Sequence, residues 1–461
     1  MNSTYQNTQS KEVDFDFDEI LFSITDKRGI ILDGNNVFAR VSGFQKDELI
    51  NKPHNIVRHP DMPKCVYKLL WEKLKEEKSI VAFIKNKDAK GNFYWVLSSF
   101  MPISNGYLSI RIKPQSPLFL KIKELYSELF TAEKNSNINT SYDLFLKKIN
   151  EIGFDSYESF MTRVLSSEVF LNKKFLVQKE NIFSKKVNTD IYSEVNRNFL
   201  NNKKEFSIII EKMKLLILFA PLLKEKTDQI LLSCNKLDYI SLNMSINSGN
   251  LGQQTASVSI ISREFQIMVS TIRTQVKKFQ DISKELRTLL EMIELEGCLA
   301  FLQIQTIENY LIDYFENFSS GESNINSLAQ NVNILFSLFI DNSNNKLIKS
   351  LDKSQYLCKN LLEISNSLKG KIFSLEITKD LSKIEISRNP SIEGYFDNQI
   401  LDIHQFILTN KENIANILTE TNKVANDLHV FSGNVSKMKN YINLIKIKLN
   451  QIAHIKEKLA S

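Results

Sequence analysis

The chain has 461 residues, 43% of them hydrophobic and 24% charged, and its net charge of +6 is spread along the length. This composition suits a protein that buries cores, at about 100–200 residues per domain. No dense Lys/Arg run is interleaved with aromatics, which removes the footprint of a nucleic-acid binder.

Glycine (13) and proline (8) are scarce, which favours long helices. The cysteines (Cys65, Cys234, Cys298 and Cys358) are far apart and form no C-x-x-C pair. They read as reduced thiols of a cytoplasmic protein and offer no metal site.

In chain order, residues 1–18 read as a disordered tail. The opening is polar and then acidic (Asp14, Asp16, Asp18, Glu19), the reverse of a signal peptide. Phe22–Thr25 and Ile30–Leu32 are short apolar runs joined by Asp26-Lys27-Arg28-Gly29, a strand–turn–strand signal. Asn35–Gly43 and Pro63–Lys75 read as short helices, the second with Val66, Leu69, Leu70 and Leu74 at helical spacing. Three strands are predicted next: Ile80–Lys85, Phe93–Pro102 and Tyr107–Lys113, with turns at Lys90-Gly91-Asn92 and Asn105-Gly106. The sum is an α+β domain over 19–116. It has a five-stranded antiparallel sheet, small helices and a pocket between them.

From Ser116 onward the rhythm is helical. A helical linker over 117–175 and an all-helical bundle over 176–461 are predicted, with Asn- and Ser-rich breaks near 135–140, 319–326, 341–345 and 388–390. The longest apolar run, Leu215–Leu223, contains Pro221 and falls well short of the roughly 20 residues of a membrane span. The protein is expected to be soluble, or held at a membrane by a partner. From Ile414 to Ile452 apolar residues recur in three- and four-residue steps through Leu418, Thr421, Ala425, Leu428 and Phe431, with an irregularity near Leu428–Phe431. This is a seam for another helix, either within the chain or in a second copy as a dimeric coiled coil.

Two of the five histidines lie in His54-Asn-Ile-Val-Arg-His-Pro-Asp-Met-Pro63. In Arg58-His59-Pro60-Asp61, the guanidinium offers a fork of donors, the imidazole a stacking face, and the carboxylate an acceptor. Asn86, at a strand end, adds an amide that donates and accepts. Trp71 and Trp95 can wall a planar ring. Such a set holds a polar-rimmed aromatic cofactor. Spacing alone also allows, and by itself favours, a surface ion pair, a capped turn and two core tryptophans.

The stretch Val41-Ser42-Gly43-Phe44, Glu48-Leu49-Ile50, Lys52 through Pro63, then Lys85-Asn86 and Gly91 to Val96 resembles the PAS domain of bacterial aerotaxis receptors. The resemblance spans about residues 15–120. It implies non-covalently bound FAD that reports redox state, with Arg58, His59, Asp61, Trp71 and Asn86 in its pocket. In one departure, Ile80 stands where the family usually carries tryptophan, which removes a stacking wall worth on the order of 1 kcal/mol beyond its burial.

Leu242 to Gln254, followed by Ser257 to Phe265, resembles the hairpin tip of methyl-accepting chemotaxis receptors, with the tip at 242–266. Leu242, Asn243, Ile246, Gly252, Gln254 and Glu264 match. Asn247, Asn250 and Gln253 replace charges of the family that help dock the adaptor and the histidine kinase, contacts worth about 1.5–3 kcal/mol each. The alternative is a helix pair whose small residues Ser245, Ser248, Gly249 and Gly252 only allow close packing.

Three function classes compete. The first is a cytoplasmic sensory transducer of the aerotaxis or energy-taxis type, reading redox state through FAD and passing it by helices to chemotaxis signalling. The second is a cofactor-free PAS scaffold that pairs with another PAS or a membrane taxis receptor. The third, an enzyme, lacks a glycine-rich ATP lid, a GGDEF- or EAL-like run and a P-loop. His404, His429 and His454 have no acidic neighbour suited to a phospho-acceptor, so no enzymatic activity is expected.

Overall fold

Leu21–Asp26 (β1) and Ile31–Gly34 (β2) form around the turn the sequence marks. Asp26 Oδ1 accepts from the backbone N–H groups of Arg28 and Ile30, each at 2.9 Å. Gly29 takes φ +81°, where a side chain would be strained. In this computed structural model the described residues are 10–172, 190–251, 256–320, 333–337, 344–388 and 394–460. They divide into two units: 1–207 with 294–347 and 435–461, and 208–293 with 348–434.

In the first unit, Asn36–Ser42 (α1), Lys46–Leu49 (α2), a 3₁₀ turn at His54–Val57 and Lys64–Lys75 (α3) follow the first two strands. Both α2 and the 3₁₀ turn are too short for a periodic signal, and neither was expected. Ile80–Lys87 (β3), Phe93–Ile103 (β4) and Gly106–Ile112 (β5) complete a five-stranded antiparallel sheet in the order β2-β1-β5-β4-β3. The predicted strands all occur, and β5 closes on β1 from Leu21–Arg111 to Asp26–Gly106. Gly106 is required there, because a Cβ would lie 1.8 Å from the Thr25 carbonyl oxygen.

The tail prediction needs correcting from residue 10 onward. Val13 N–H donates to Phe93 O at 2.7 Å, Phe93 N–H to Lys11 O at 3.0 Å, and Phe15 is buried. The segment pairs with the start of β4 because it has an apolar side chain to bury and backbone groups to match.

The expected linker is three packed helices: Pro117–Asn135 (α4), Ile138–Glu151 (α5) and Tyr157–Leu171 (α6). Helices α3 and α4 lack a capping side chain at their N-cap residues, Pro63 and Ser116. Later carboxylates serve instead. Glu133 accepts from the N–H groups of Lys64 and Cys65 at 2.8 and 2.7 Å. Glu168 of α6 accepts from Gln115 and Ser116 at 2.7 and 2.9 Å, at a site where it is 1% exposed. Glu168→Ala leaves the buried Ser116 N–H without its acceptor, along with the partly buried N–H of Gln115, and is expected to lower stability by about 1.5–3 kcal/mol in urea unfolding. A change under about 0.5 kcal/mol, the ordinary size at an uninvolved surface position, would show that the cap is unimportant.

The sheet is buried on both faces. Tyr157 Oη donates to Val81 O at 2.7 Å, and Trp95 packs on Phe119 and Tyr126. A further helix, Ala256–Ser320 (α8), contributes its stretch from 297 to 311, which is buried on nearly every side. There Tyr310 packs its ring 4.6 Å from Phe22 and donates its hydroxyl to Asp33, while Gln303 Nε2 lies 3.0 Å from Met101 Sδ. A helix buried all round belongs in a core. This one also carries the polar groups Gln303 and Glu308, the latter paired with Lys203 at 2.7 Å.

The second unit comprises parts of Asp190–Leu251 (α7), α8, Asn344–Ser387 (α9) and Asp397–Ala460 (α10). These run antiparallel within the one chain. Lys212 pairs with Asp427, and Ser233 with Asn410, between α7 and α10. Lys353 pairs with Glu285, and Gln275 with Ser367, between α9 and α8. Pro221 does not interrupt α7, which is continuous through it. The α10 seam is regular: Ile414, Ile417, Thr421, Val424, Leu428, Phe431, Val435, Met438, Ile442 and Ile445 are all buried. Ile417 and Val424 take the places expected for Leu418 and Ala425, and the predicted irregularity is absent.

The 242–266 stretch falls at the end of α7 and the start of α8. Ser262 Oγ donates to Ser241 O at 3.0 Å there, a close approach of the two helices at serines outside the set Ser245, Ser248, Gly249 and Gly252. Gly252, Gln253 and Gln254 lie outside the described residues, as do the side chains of Asn250 and Leu251. Among the described residues, no helix is long and apolar enough to cross a membrane. The four cysteines are buried and unpaired.

Candidate cofactor cavity

A strand sends alternate side chains to opposite faces. In β5 that puts Leu108, Ile110 and Ile112 on the outer face, and Tyr107, Ser109 and Arg111 on the inner one. Asn86 of β3 and Ser98 and Phe100 of β4 join them on the inner face. Helix α3 closes the other side with Tyr67, Leu70 and Trp71, and the 3₁₀ turn adds His54 and Arg58. Together these groups enclose a cavity of about 250 Å³ with Pro53 and Asn55 exposed at its mouth.

Arg111 is 1% exposed, and no carboxylate pairs with it among the described residues. Its Nη2 donates to Ser23 Oγ at 3.0 Å and to His54 Nε2 at 2.6 Å, and the guanidinium lies 5.2 Å from the Phe38 ring centre. Burial lowers its pKa to about 10, so it stays charged at neutral pH. Its Nη1 is buried and makes no hydrogen bond, like Ser98 Oγ and Asn86 Nδ2. The Asn86 amide is close enough to the Tyr94 hydroxyl to bias its ionisation. Buried donors without acceptors cost about 1–3 kcal/mol each, so their concentration on residues that line one cavity points to a place for a ligand's acceptors.

His54 accepts from Arg111 at Nε2, which assigns its proton to Nδ1. Burial first, and then the Arg111 charge, lower its pKa from 6.5 to about 3. The unfolded chain therefore binds the proton more readily between these values, and stability falls as pH drops through that window, by up to about 1.4 kcal/mol per pH unit. Thermal unfolding of wild type and His54→Gln from pH 7 downward is expected to show a steeper loss in wild type. Parallel curves would mean that His54 is not held neutral.

Of the expected site residues, the structure brings Arg58, Trp71 and Asn86 to the cavity wall. The Arg58 guanidinium stacks 3.8 Å from the Tyr67 ring centre, and Trp71 meets Tyr107 edge-on at 5.6 Å. Arg58 is held in place by a β-bridge to Asn86. His59 and Asp61 do not line the cavity. His59 Nδ1 accepts from Asp61 N–H at 3.1 Å, and its ring edge meets Phe93. Asp61 is exposed and takes a hydrogen bond from Lys85 Nζ at 3.1 Å. Burial and the Lys85 charge lower the His59 pKa. The pair clamps the turn after Arg58 onto β3 and so positions Arg58 from outside.

Trp95 lies on the outer face and walls nothing in the cavity. Ile80 is fully buried opposite Phe100, and Phe100 supplies an aromatic lining at that end. Sequence reading missed Arg111, His54, Tyr67 and the two serines. The signal for Arg111 was an arginine framed by isoleucines in a strand whose alternate residues are Tyr107 and Ser109.

Residues 31–109 match the family model described as the PAS fold. Over 141 residues the chain is 33% identical to the aerotaxis receptor of Escherichia coli strain K12, covering 30% of this chain and 27% of the receptor. The chain thus spans about a quarter of the length of this curated relative. A PAS domain of a protein from Colwellia psychrerythraea is 21% identical, with a TM-score of 0.20, over 22% of this chain and 89% of the other. A light-oxygen-voltage domain studied with a flavin analogue is 20% identical, with a TM-score of 0.21, over 23% and 87%.

Proposed function

We propose, starting from the fact that residues 31–109 form a PAS domain related to that of an aerotaxis receptor, that the cavity holds the ring system of FAD. The chain would then be a sensory protein reporting redox state through its helices to chemotaxis signalling. One observation carries this proposal: Asn86, Ser98 and Arg111, three residues lining one cavity, each carry a buried donor without a hydrogen-bond partner. A planar ring with carbonyl oxygens and ring nitrogens along its edge supplies acceptors for them.

A cavity of about 250 Å³ lies just below the usual range of a ligand site, which runs from about 300 Å³ upward. It suits the ring, with the rest of the dinucleotide toward the open mouth. There Arg58 and the exposed Arg28 are the cations suited to its diphosphate. Trp71 and Tyr107 wall the ring on the α3 side. Bound flavin supplies reversible electron uptake, which changes the charge at the ring edge. The chain responds through β1, where Ser23 touches Arg111 and His54 on the inner face. The adjacent Phe22 touches Tyr310 on the outer one. A charge change at the cavity thereby reaches the 297–311 stretch of α8 across one strand.

The small cavity and the missing tryptophan at Ile80 also favour a second reading, an empty PAS that serves as a pairing platform. Full-length protein purified from its own host separates the two. Sensing requires a visible flavin spectrum that bleaches with dithionite, together with altered hydrogen exchange within 297–311. A colourless preparation with unchanged exchange leaves the platform.

A further inference from the structure

Three arginines line the cavity in different settings, Arg28 and Arg58 toward its mouth and Arg111 in the wall of the sheet. Arg58 is half-exposed and stacked on Tyr67, so solvent and salt screen its charge. Arg111 is enclosed, has neutral partners in Ser23 and His54, lines the cavity and keeps one buried nitrogen without an acceptor. An enclosed charge acts on a neighbouring charge far more strongly than one in water. An unpaired guanidinium held there at a cost is complementary to a group that becomes negative.

We infer, resting on the flavin-binding proposal above, that Arg111 sets the reduction potential of the bound flavin by favouring its reduced, negatively charged form over the oxidised one. Two electrons and one proton added to the neutral oxidised ring leave one net negative charge. In the assay dithionite supplies the electrons and is oxidised to sulfite, and the proton comes from water. Arg111 is then a tuning residue: the oxidised ring takes its hydrogen bond, and the reduced ring takes both its hydrogen bond and its charge. The structural surroundings support a charge role. The two serines and the asparagine can hold the ring by hydrogen bonds alone, whereas Arg111 is the enclosed cation of the set.

The test is a spectroelectrochemical titration of full-length protein loaded with FAD, as wild type, Arg111→Lys and Arg111→Gln. Wild type is expected to bind reduced FAD at least tenfold more tightly than oxidised FAD, which places its potential at least about 30 mV above that of free FAD. Arg111→Gln keeps donors and loses the charge. Its preference is expected to fall at least tenfold, again about 30 mV, with Arg111→Lys in between. If Arg111→Gln retains flavin and its potential moves less than twofold in these terms, under about 9 mV, the tuning role is overturned while flavin binding stands. If Arg111→Gln loses flavin, the wild-type value decides, and tighter binding of the oxidised form overturns the inference. A wild type that takes up no flavin overturns both this inference and the reading beneath it.

Discussion

Trp71→Ala is expected to weaken FAD binding by about ten- to a hundredfold, as measured by quenching of flavin fluorescence in full-length protein. The indole forms one wall of the cavity, against Tyr107 and beside Gly29, next to Tyr67, Leu70 and Leu74 of the same helix. Losing a stacking aromatic removes about 1–3 kcal/mol of buried surface and ring contact, and each 1.4 kcal/mol is tenfold. Asp61→Asn serves as the contrast. Asp61 was expected in the pocket, yet its carboxylate is exposed and bound to Lys85, so the substitution is expected to change affinity less than threefold. Equal losses in both variants would return Asp61 to the site and undo the geometry described for the 58–61 turn.

Phe22→Ala is expected to destabilise the first unit by about 3–5 kcal/mol, the range for removing a buried phenylalanine. The ring is 1% exposed and packs on Tyr310 at the junction of sheet and helix. Chemical unfolding measures this directly, and a loss under about 1 kcal/mol, too little for a buried ring, would mean that the two surfaces are not held together there. The milder Tyr310→Phe separates packing from signalling. It keeps the ring and removes the hydroxyl that donates to Asp33, an acceptor also bound by Lys46 at 2.9 Å. FAD affinity is expected to stay within twofold of wild type, while the change in hydrogen exchange of 297–311 on reduction shrinks. An undiminished change would place the coupling elsewhere.

The strands and turns were legible because their signals are local. Asp26 to Gly29 forms the turn it spells, and Tyr107–Lys113 alternates faces as its residues demand. The regular α10 seam was nearly legible too, missed by one residue at Ile417 and Val424 because Leu418 and Ala425 are equally apolar. What sequence could not supply was long-range. Glu133 and Glu168 cap helices 68 to 69 and 52 to 53 residues upstream, so three helices that read as a linker belong to the sheet domain. Tyr310 reaches Asp33 across 277 positions. The site was half legible for a related reason. The motif drew attention to His59 and Asp61, whose backbone clamp positions Arg58. Arg111 and Ser98 enter the cavity only once β4 and β5 are paired.

The most direct measurement is calorimetric titration of FAD into full-length wild type and an Asn86→Leu, Ser98→Val double variant, which keeps the shape of the wall and removes two of its buried donors. Wild type is expected to bind one FAD per chain saturably, with at least tenfold weaker binding to the variant. Absence of saturable binding to wild type, or equal affinity for both proteins, would contradict the FAD assignment.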